Sequence, residues 1–187
     1  MAVMKYYINL FSPNTATAFT NSNRDVTGFR TSRKSYVKNQ GIKSGDIFIC
    51  YCTKIQRFIG ILEVISAPYE DNSPIFIEEN DPFCLRFKVK TACLASFSKL
   101  AIPIHEDLVW NTLSITKDLP KDSTKWTYKV FSSPLRWDNA DGKFLVDLLK
   151  RQAKQQTNLS SFRERRQKRS SIENTYYFRK GNHCFCS

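Results

Sequence analysis

Residues 46–53 and 58–66 form two runs rich in Ile, Phe, Tyr, Val and Cys, separated only by the polar connection Lys54-Ile55-Gln56-Arg57. β-branched and aromatic residues in runs of this length fit a pleated, buried surface, so the pair predicts two strands in quick succession. Cys50 and Cys52 alternate with Ile49, Tyr51 and Thr53, which puts both thiols on one side of the sheet as small hydrophobes. Further strands are expected over residues 5–11, ended by Ser12-Pro13, and over 83–95. In the latter, Phe83, Leu85, Phe87 and Val89 alternate with Arg86, Lys88 and Lys90, as in a strand with one wet face. Trp126, Tyr128 and Val130 suggest a last short strand.

Helical signals are fewer. Ser12 as an N-cap with Pro13 at the first helical position predicts a short helix over 14–20. A second is expected over 32–39, closed by Gly41. From residue 138 the pattern turns helical, with Phe144, Leu145, Leu148 and Leu149 forming one apolar stripe. Residues 68–81 read as a long surface loop around the apolar patch Ile75-Phe76-Ile77, and residues 100–116 as irregular. Gly28 stands where a backbone must turn or be approached closely. The balance predicts an α+β class: a small, closed or nearly closed mixed β-barrel with two or three peripheral helices. No internal repeat is visible.

The 187 residues suffice for one domain of about 150 residues plus a tail. The domain is expected over 1–156 and a basic tail over 157–187. The formal charge of +12 is uneven: residues 1–149 carry +4 and residues 150–187 carry +8. A mildly basic body with a strongly basic tail suits an anionic partner, nucleic acid being the commonest. No secretory signal pattern precedes the first strand and no apolar run is long enough to span a membrane, so a cytoplasmic protein with no membrane partner is expected. The six cysteines, Cys50, Cys52, Cys84, Cys93, Cys184 and Cys186, lack the Cys-x-x-Cys spacing of zinc or redox sites and are read as free thiols.

Several segments, taken in order, resemble a bacterial branch of the EVE domain family. They are residues 6–15 (YYINLFSPNT), 26–30 (VTGFR), 45–51 (GDIFICY), 60–64 (GILEV), 74–76 (PIF), 82–83 (PF) with 86–89 (RFKV), 101–104 (AIPI), 110–114 (WNTLS) and 141–142 (DG) with the helix that follows. The resemblance spans about residues 5–152. EVE domains are similar to YTH and other PUA-like folds, in which a short mixed barrel carries a cleft for one nucleotide base. The resemblance therefore implies a base turned out of its stack, held between aromatic faces and read at its edge, with modified bases as the associated ligands. In restriction systems such a domain supplies recognition while a separate nuclease cuts, so the resemblance implies a separate nuclease partner; the sequence itself shows no nuclease segment.

Sandwiching a base needs flat ring faces, and a modified base rewards an apolar or aromatic wall. Phe11, Phe29, Tyr51 and Phe58 are candidates because each stands at or beside the end of an element. The resemblance places Phe11-Ser12 leaving the first strand toward the cleft, Gly28-Phe29-Arg30 at its opposite lip, and Tyr51-Cys52-Thr53 and Phe58 at adjoining strand ends. Related sequences often carry Trp where this chain has Phe58. Trp110 and Asn111 are further candidates, Asn being suited to an amide-like base edge. Ser12, Thr53 and backbone near Gly28 offer hydrogen bonds. Aromatic residues in a small barrel serve equally as core. Phosphate contacts are expected from Arg24, Arg30, Arg33, Lys34, Lys38, Lys54 and Arg57, whose other role is a solvated charged face.

Enzymatic patterns are missing. His105 and His183 lie in no nucleophile, zinc or phosphate-loop motif, and His183 with Cys184 and Cys186 makes a poor tetrahedral set in a terminal tail. Asp46 and Glu63 are paired on neighbouring strands, and Glu63 reads as a cleft-edge or sheet-surface carboxylate rather than a general acid. No catalytic residue, metal or cofactor is expected. Three readings of the cleft stay open: a reader of a flipped, modified base; an RNA-binding PUA-like accessory protein without that specificity; and a small enzyme acting on a nucleotide-like ligand.

Overall fold

The computed structural model describes residues 4–76, 80–94 and 101–155. The chain opens with strand β1 (Tyr6–Phe11), which stops at Ser12. There the Ser12 hydroxyl accepts from Thr15 N (3.2 Å) and the Thr15 hydroxyl accepts from Ser12 N (2.9 Å). This reciprocal cap, with Pro13 in the first turn, starts helix α1 (Pro13–Asn21). Strand β2 (Val26–Phe29), a 3-10 turn (Thr31–Arg33) and helix α2 (Lys34–Asn39) follow. Strands β3 (Ile47–Cys52) and β4 (Arg57–Val64) form the expected pair, joined by a turn in which Lys54 and Gln56 take left-handed conformations.

Strands β5 (Tyr69–Glu70), β6 (Leu85–Leu94) and β7 (Ile102–Pro103) complete the sheet, and helices α3 (Asp107–Thr112), α4 (Thr127–Phe131) and α5 (Asn139–Gln155) complete the described chain. The main path through the sheet is β1-β3-β4-β6-β2, with β5 on β6 and β7 on β4. β1 runs parallel to β3, from Tyr6 opposite Ile47 to Phe11 opposite Cys52; the other pairs are antiparallel. The two ends of the path, β1 and β2, are tied by side chains: buried Asn9 donates through Nδ2 to the buried Thr27 hydroxyl at 2.8 Å. The result is a half-barrel.

Alternation along β3 divides the interior in two. Ile47, Ile49 and Tyr51 face a core shared with α3, α4 and α5, while Phe48, Cys50 and Cys52 face a core shared with α1 and α2. Both thiols thus lie on one side of the sheet, as expected, and burial raises both, Cys52 to about 12. Cys84 and Cys93 are also buried and free. A bulge in β4 leaves Ile59 unpaired between Gly60, opposite Cys50, and Phe58, opposite Tyr51. That extra residue turns Phe58 back toward the Tyr51 side.

Helix α5 closes the first core, with Leu145 and Leu149 buried against the sheet. Its close approach to β1 depends on Gly142, where a Cβ would stand 2.2 Å from Cγ of Tyr6. The outer edge of β1 is covered by residues 133–137: Ile8 N donates to Leu135 O at 3.0 Å and Trp137 N to Tyr6 O at 2.8 Å.

The α+β class holds, with three corrections of detail. Five α-helices occur among the described residues, more than the two or three expected, because the sequence between the sheet and α5 holds two short ones. The segment read as irregular contains β7 and α3, both too short for a periodic signal. Trp126, Tyr128 and Val130, read as a strand, lie at the start of and within α4; Trp126 and Val130 are buried and four apart, which suits a helix as well as alternation suits a strand. The tail expected over 157–187, with His183, Cys184 and Cys186, lies outside the described residues.

Candidate functional site

The loop between β5 and β6 folds back over β2 and α1, held on one side by Arg86. Arg86, buried on β6, donates through Nε to Phe83 O (3.0 Å), through Nη1 to the Ser73 hydroxyl (2.9 Å) and through Nη2 to Ser73 O, and pairs with Asp71 at 2.9 Å. It thereby pins both ends of the loop. A guanidinium suits this task because its donors are fixed in a planar fork. On the other side, Asp81 accepts from Ser32 N (3.1 Å) and from the Ser32 hydroxyl (2.5 Å), bonds that hold its carboxyl below the ordinary range. Thr31 N donates to Pro82 O at 3.0 Å.

Held this way, the loop presents an aromatic group. Phe76 and Phe83, both half-buried, lie 5.2 Å apart edge to face, and Phe76 also meets Phe11 (6.1 Å) and Phe19 (6.2 Å). The Arg30 guanidinium lies 4.7 Å over the Phe83 ring and donates to Asp81 O at 3.0 Å. Phe76 carries a φ of 65°, the left-handed region that non-glycine residues seldom adopt and that concentrates at functional sites. Gly28 lies beneath the loop: a Cβ there would stand 2.9 Å from Ile75 Cδ1 and 3.3 Å from Phe83. The close approach inferred for Gly28 from sequence is therefore an approach by this loop.

The residues expected to line one cleft are distributed differently. Phe11 and Phe29 are buried in the α1-side core, Phe11 against Phe19, and Phe29 tilted against Phe48 and edge-on to Phe87. Tyr51, Phe58 and Trp110 are buried in the other core, across the sheet. Tyr51 packs on Phe58 (5.2 Å) and Trp126 (6.5 Å), and Trp110 stacks on His105 (5.0 Å) and donates through Nε1 to Leu119 O. These five rings thus do not converge: successive strand residues point to opposite faces, so aromatics at neighbouring strand ends are separated by the sheet itself. Burial pushes the Tyr51 phenol up, and its hydroxyl is without a hydrogen-bond partner among the described residues. Ser12 caps α1, Thr53 N donates to Phe11 O at the end of β3, and Asn111 is exposed on α3.

The basic candidates also separate. Arg30 stands at the loop site. Arg33 lies 4.4 Å over the Tyr36 ring and donates to Ser133 O at 3.1 Å. Lys34 and Lys38 both bond Glu70, at 2.5 and 2.8 Å, which lowers the Glu70 carboxyl to about 2. Lys54 is exposed in the β3–β4 turn, Arg57 donates to Ala101 O at 3.0 Å, and Arg24 is exposed in a left-handed turn before β2. Phe76, Phe83 and Arg86 are the residues that sequence reasoning passed over. The signal was present in the two rings that flank a polar, proline-bearing loop.

Among the described residues no cluster of His, Cys, Asp or Glu could hold a metal, and no helix is long and apolar enough to cross a membrane. No family model matches the chain, and no curated protein matches it in sequence. Solved structures do match. The Mmi1 YTH domain in complex with RNA superposes with a TM-score of 0.56 at 12% identity, covering 83% of each chain. The Pho92 YTH domain in complex with m6A gives 0.52 at 13% identity, covering 79% of this chain and 86% of that one. The Zygosaccharomyces rouxii MRB1 YTH domain, in complex with N6-methyladenosine RNA, gives 0.50 at 11% identity, covering 79% and 87%. The chain has the α+β half-barrel fold of a small YTH- or PUA-like domain.

Proposed function

We propose that the protein is a nucleic-acid-binding module, of the EVE branch of this fold, that receives a flipped and modified base at the loop site. The observation that carries the reading is the half-buried Phe76–Phe83 pair with the Arg30 guanidinium over it, on a loop clamped by buried Arg86 and strained at Phe76. Two half-buried rings and a cation beside them are the parts a base and its phosphate require. The fold supports it, since two superposing YTH domains are complexes with a methylated adenine. Within this reading Phe11 forms the floor of the site and Gly28 keeps the loop seated, while Tyr51, Phe58 and Trp110 act through the core that supports β3 and β4. Among the described residues the carboxylate beside the rings, Asp81, is engaged by Ser32, so the site offers an enzymatic role no support.

Fluorescence anisotropy with matched short oligonucleotides, identical but for methylation of one adenine or cytosine, tests the reading. One member of the panel is expected to bind more tightly than its unmodified twin, and Phe83→Ala or Phe76→Ala to lower that affinity by about 1–3 kcal/mol. Equal affinities across the panel would reject it.

A further inference from the structure

Helix α4 carries two exposed aromatic rings on one face. Val130 is fully buried, yet Tyr128 and Phe131, three residues apart and so on one helical face, are 63% and 58% exposed. The Lys129 ammonium lies 5.5 Å from the Tyr128 ring. The support beneath these rings is rigid. The Ser133 hydroxyl accepts from Leu10 N (3.2 Å) and donates to Ile8 O (3.0 Å), fixing the end of α4 to β1. From the other side the Tyr36 hydroxyl donates to Ser132 O (2.9 Å) and Arg33 to Ser133 O.

The segments that carry this face are rich in cations, with Asp138 next to Arg136 and Asp81 next to Arg30 as the acids at their margins. Residues 125–137 contain Lys125, Lys129 and Arg136 and no acid; residues 30–40, bonded to them through Tyr36 and Arg33, contain Arg30, Arg33, Lys34 and Lys38 and no acid. Glu70 engages Lys34 and Lys38. A second copy of the chain would bring the same positive face, so self-association is opposed by charge. Flat rings two χ angles stiff, set among an excess of cations, suit a chain of bases and phosphates. The 3-10 turn joins the two places: Arg30 at its start lies over Phe83, and Arg33 at its end bonds the α4 terminus.

We propose that α4 is a second contact for single-stranded nucleic acid, in which Tyr128 and Phe131 stack bases while Arg33, Lys129 and Arg136 receive the flanking phosphates. For the kind of ligand the inference rests on the reader function proposed above. It adds that the strand extends from the loop site across the 3-10 turn to α4, so that affinity grows with oligonucleotide length while base discrimination does not.

The test uses the full chain and single-stranded oligonucleotides of five and fifteen nucleotides, each with one modified base or its unmodified twin. Wild type is expected to prefer the longer strand. Tyr128→Ala combined with Phe131→Ala should weaken the fifteen-mer about tenfold or more, leave the five-mer unchanged, and keep the preference for the modified base. Tyr128→Phe with Phe131→Tyr, which preserve both rings, should restore the longer strand. Equal fifteen-mer affinity in wild type and the double alanine variant overturns the inference. So does sedimentation showing a wild-type dimer that the variant loses, since the rings would then be a protein interface. Loss of length dependence bears only on α4, and loss of modified-base preference on the five-mer bears only on the loop site.

Discussion

Glu70 shows how a single carboxylate governs the charge that a polyanion meets. By bonding both Lys34 and Lys38 it occupies two cations that sequence alone offers as phosphate contacts. Glu70→Gln is expected to release them: nucleic-acid affinity should rise and its salt dependence steepen by a slope of up to about 2, as read from binding at several salt concentrations. The same carboxyl, lowered to about 2 from an ordinary 4.5, contributes its tie in full above the ordinary value. That tie is lost as pH falls through about 2, so acid reproduces the substitution. Nothing in the local sequence marks Glu70, because its partners lie more than thirty residues upstream on α2. The buried position of Arg86 was equally hidden: on β6 it follows the polar beat of Lys88 and Lys90, yet those two are exposed while Arg86 is covered by the loop that it clamps.

The contact between α5 and β1 turns an ordinary helix rule around. Replacing a glycine inside a helix by alanine stabilises most helices by about 1 kcal/mol. At Gly142 the added methyl would enter the Tyr6 ring, so Gly142→Ala is expected to destabilise the protein by about 1–3 kcal/mol, measured by urea unfolding. Tyr6→Ala in the same background should recover part of that loss. Of the elements, β1, β3, β4 and β6 were legible because each is a run long enough to show its period, and α1 because its cap is written in Ser12-Pro13. β5, β7, α3 and α4 are two to six residues long, and within such a length the periods of strand and helix coincide. The candidate site suffered from the same limit. Both faces of β3 are apolar, so Tyr51 on one face and Cys50 on the other give no hint of which side a neighbour such as Phe11 will share.

At the scale of the whole molecule, the order of segments along residues 5–152 was enough to anticipate a YTH- or PUA-like architecture, and three solved YTH domains superpose on it at 11–13% identity. What the order could not convey is which loop covers which strand, since that is decided by Arg86, Asp81 and the glycine at position 28, each acting across long separations. One tie in particular has reach beyond its size. Among the described residues the two end strands are joined by the side-chain hydrogen bond from Asn9 to Thr27, whereas every neighbouring pair is laced by backbone. Asn9→Leu would leave Thr27 buried and unbonded, at about 1–3 kcal/mol, and amide exchange in β2 should then quicken more than in β3. Phe11 follows Asn9 on one strand and Phe29 follows Thr27 on the other. The seam is thus a clasp placed just behind the aromatic floor, and its release would let the two sides of the barrel part, and the loop rings with them, while every laced strand stays whole.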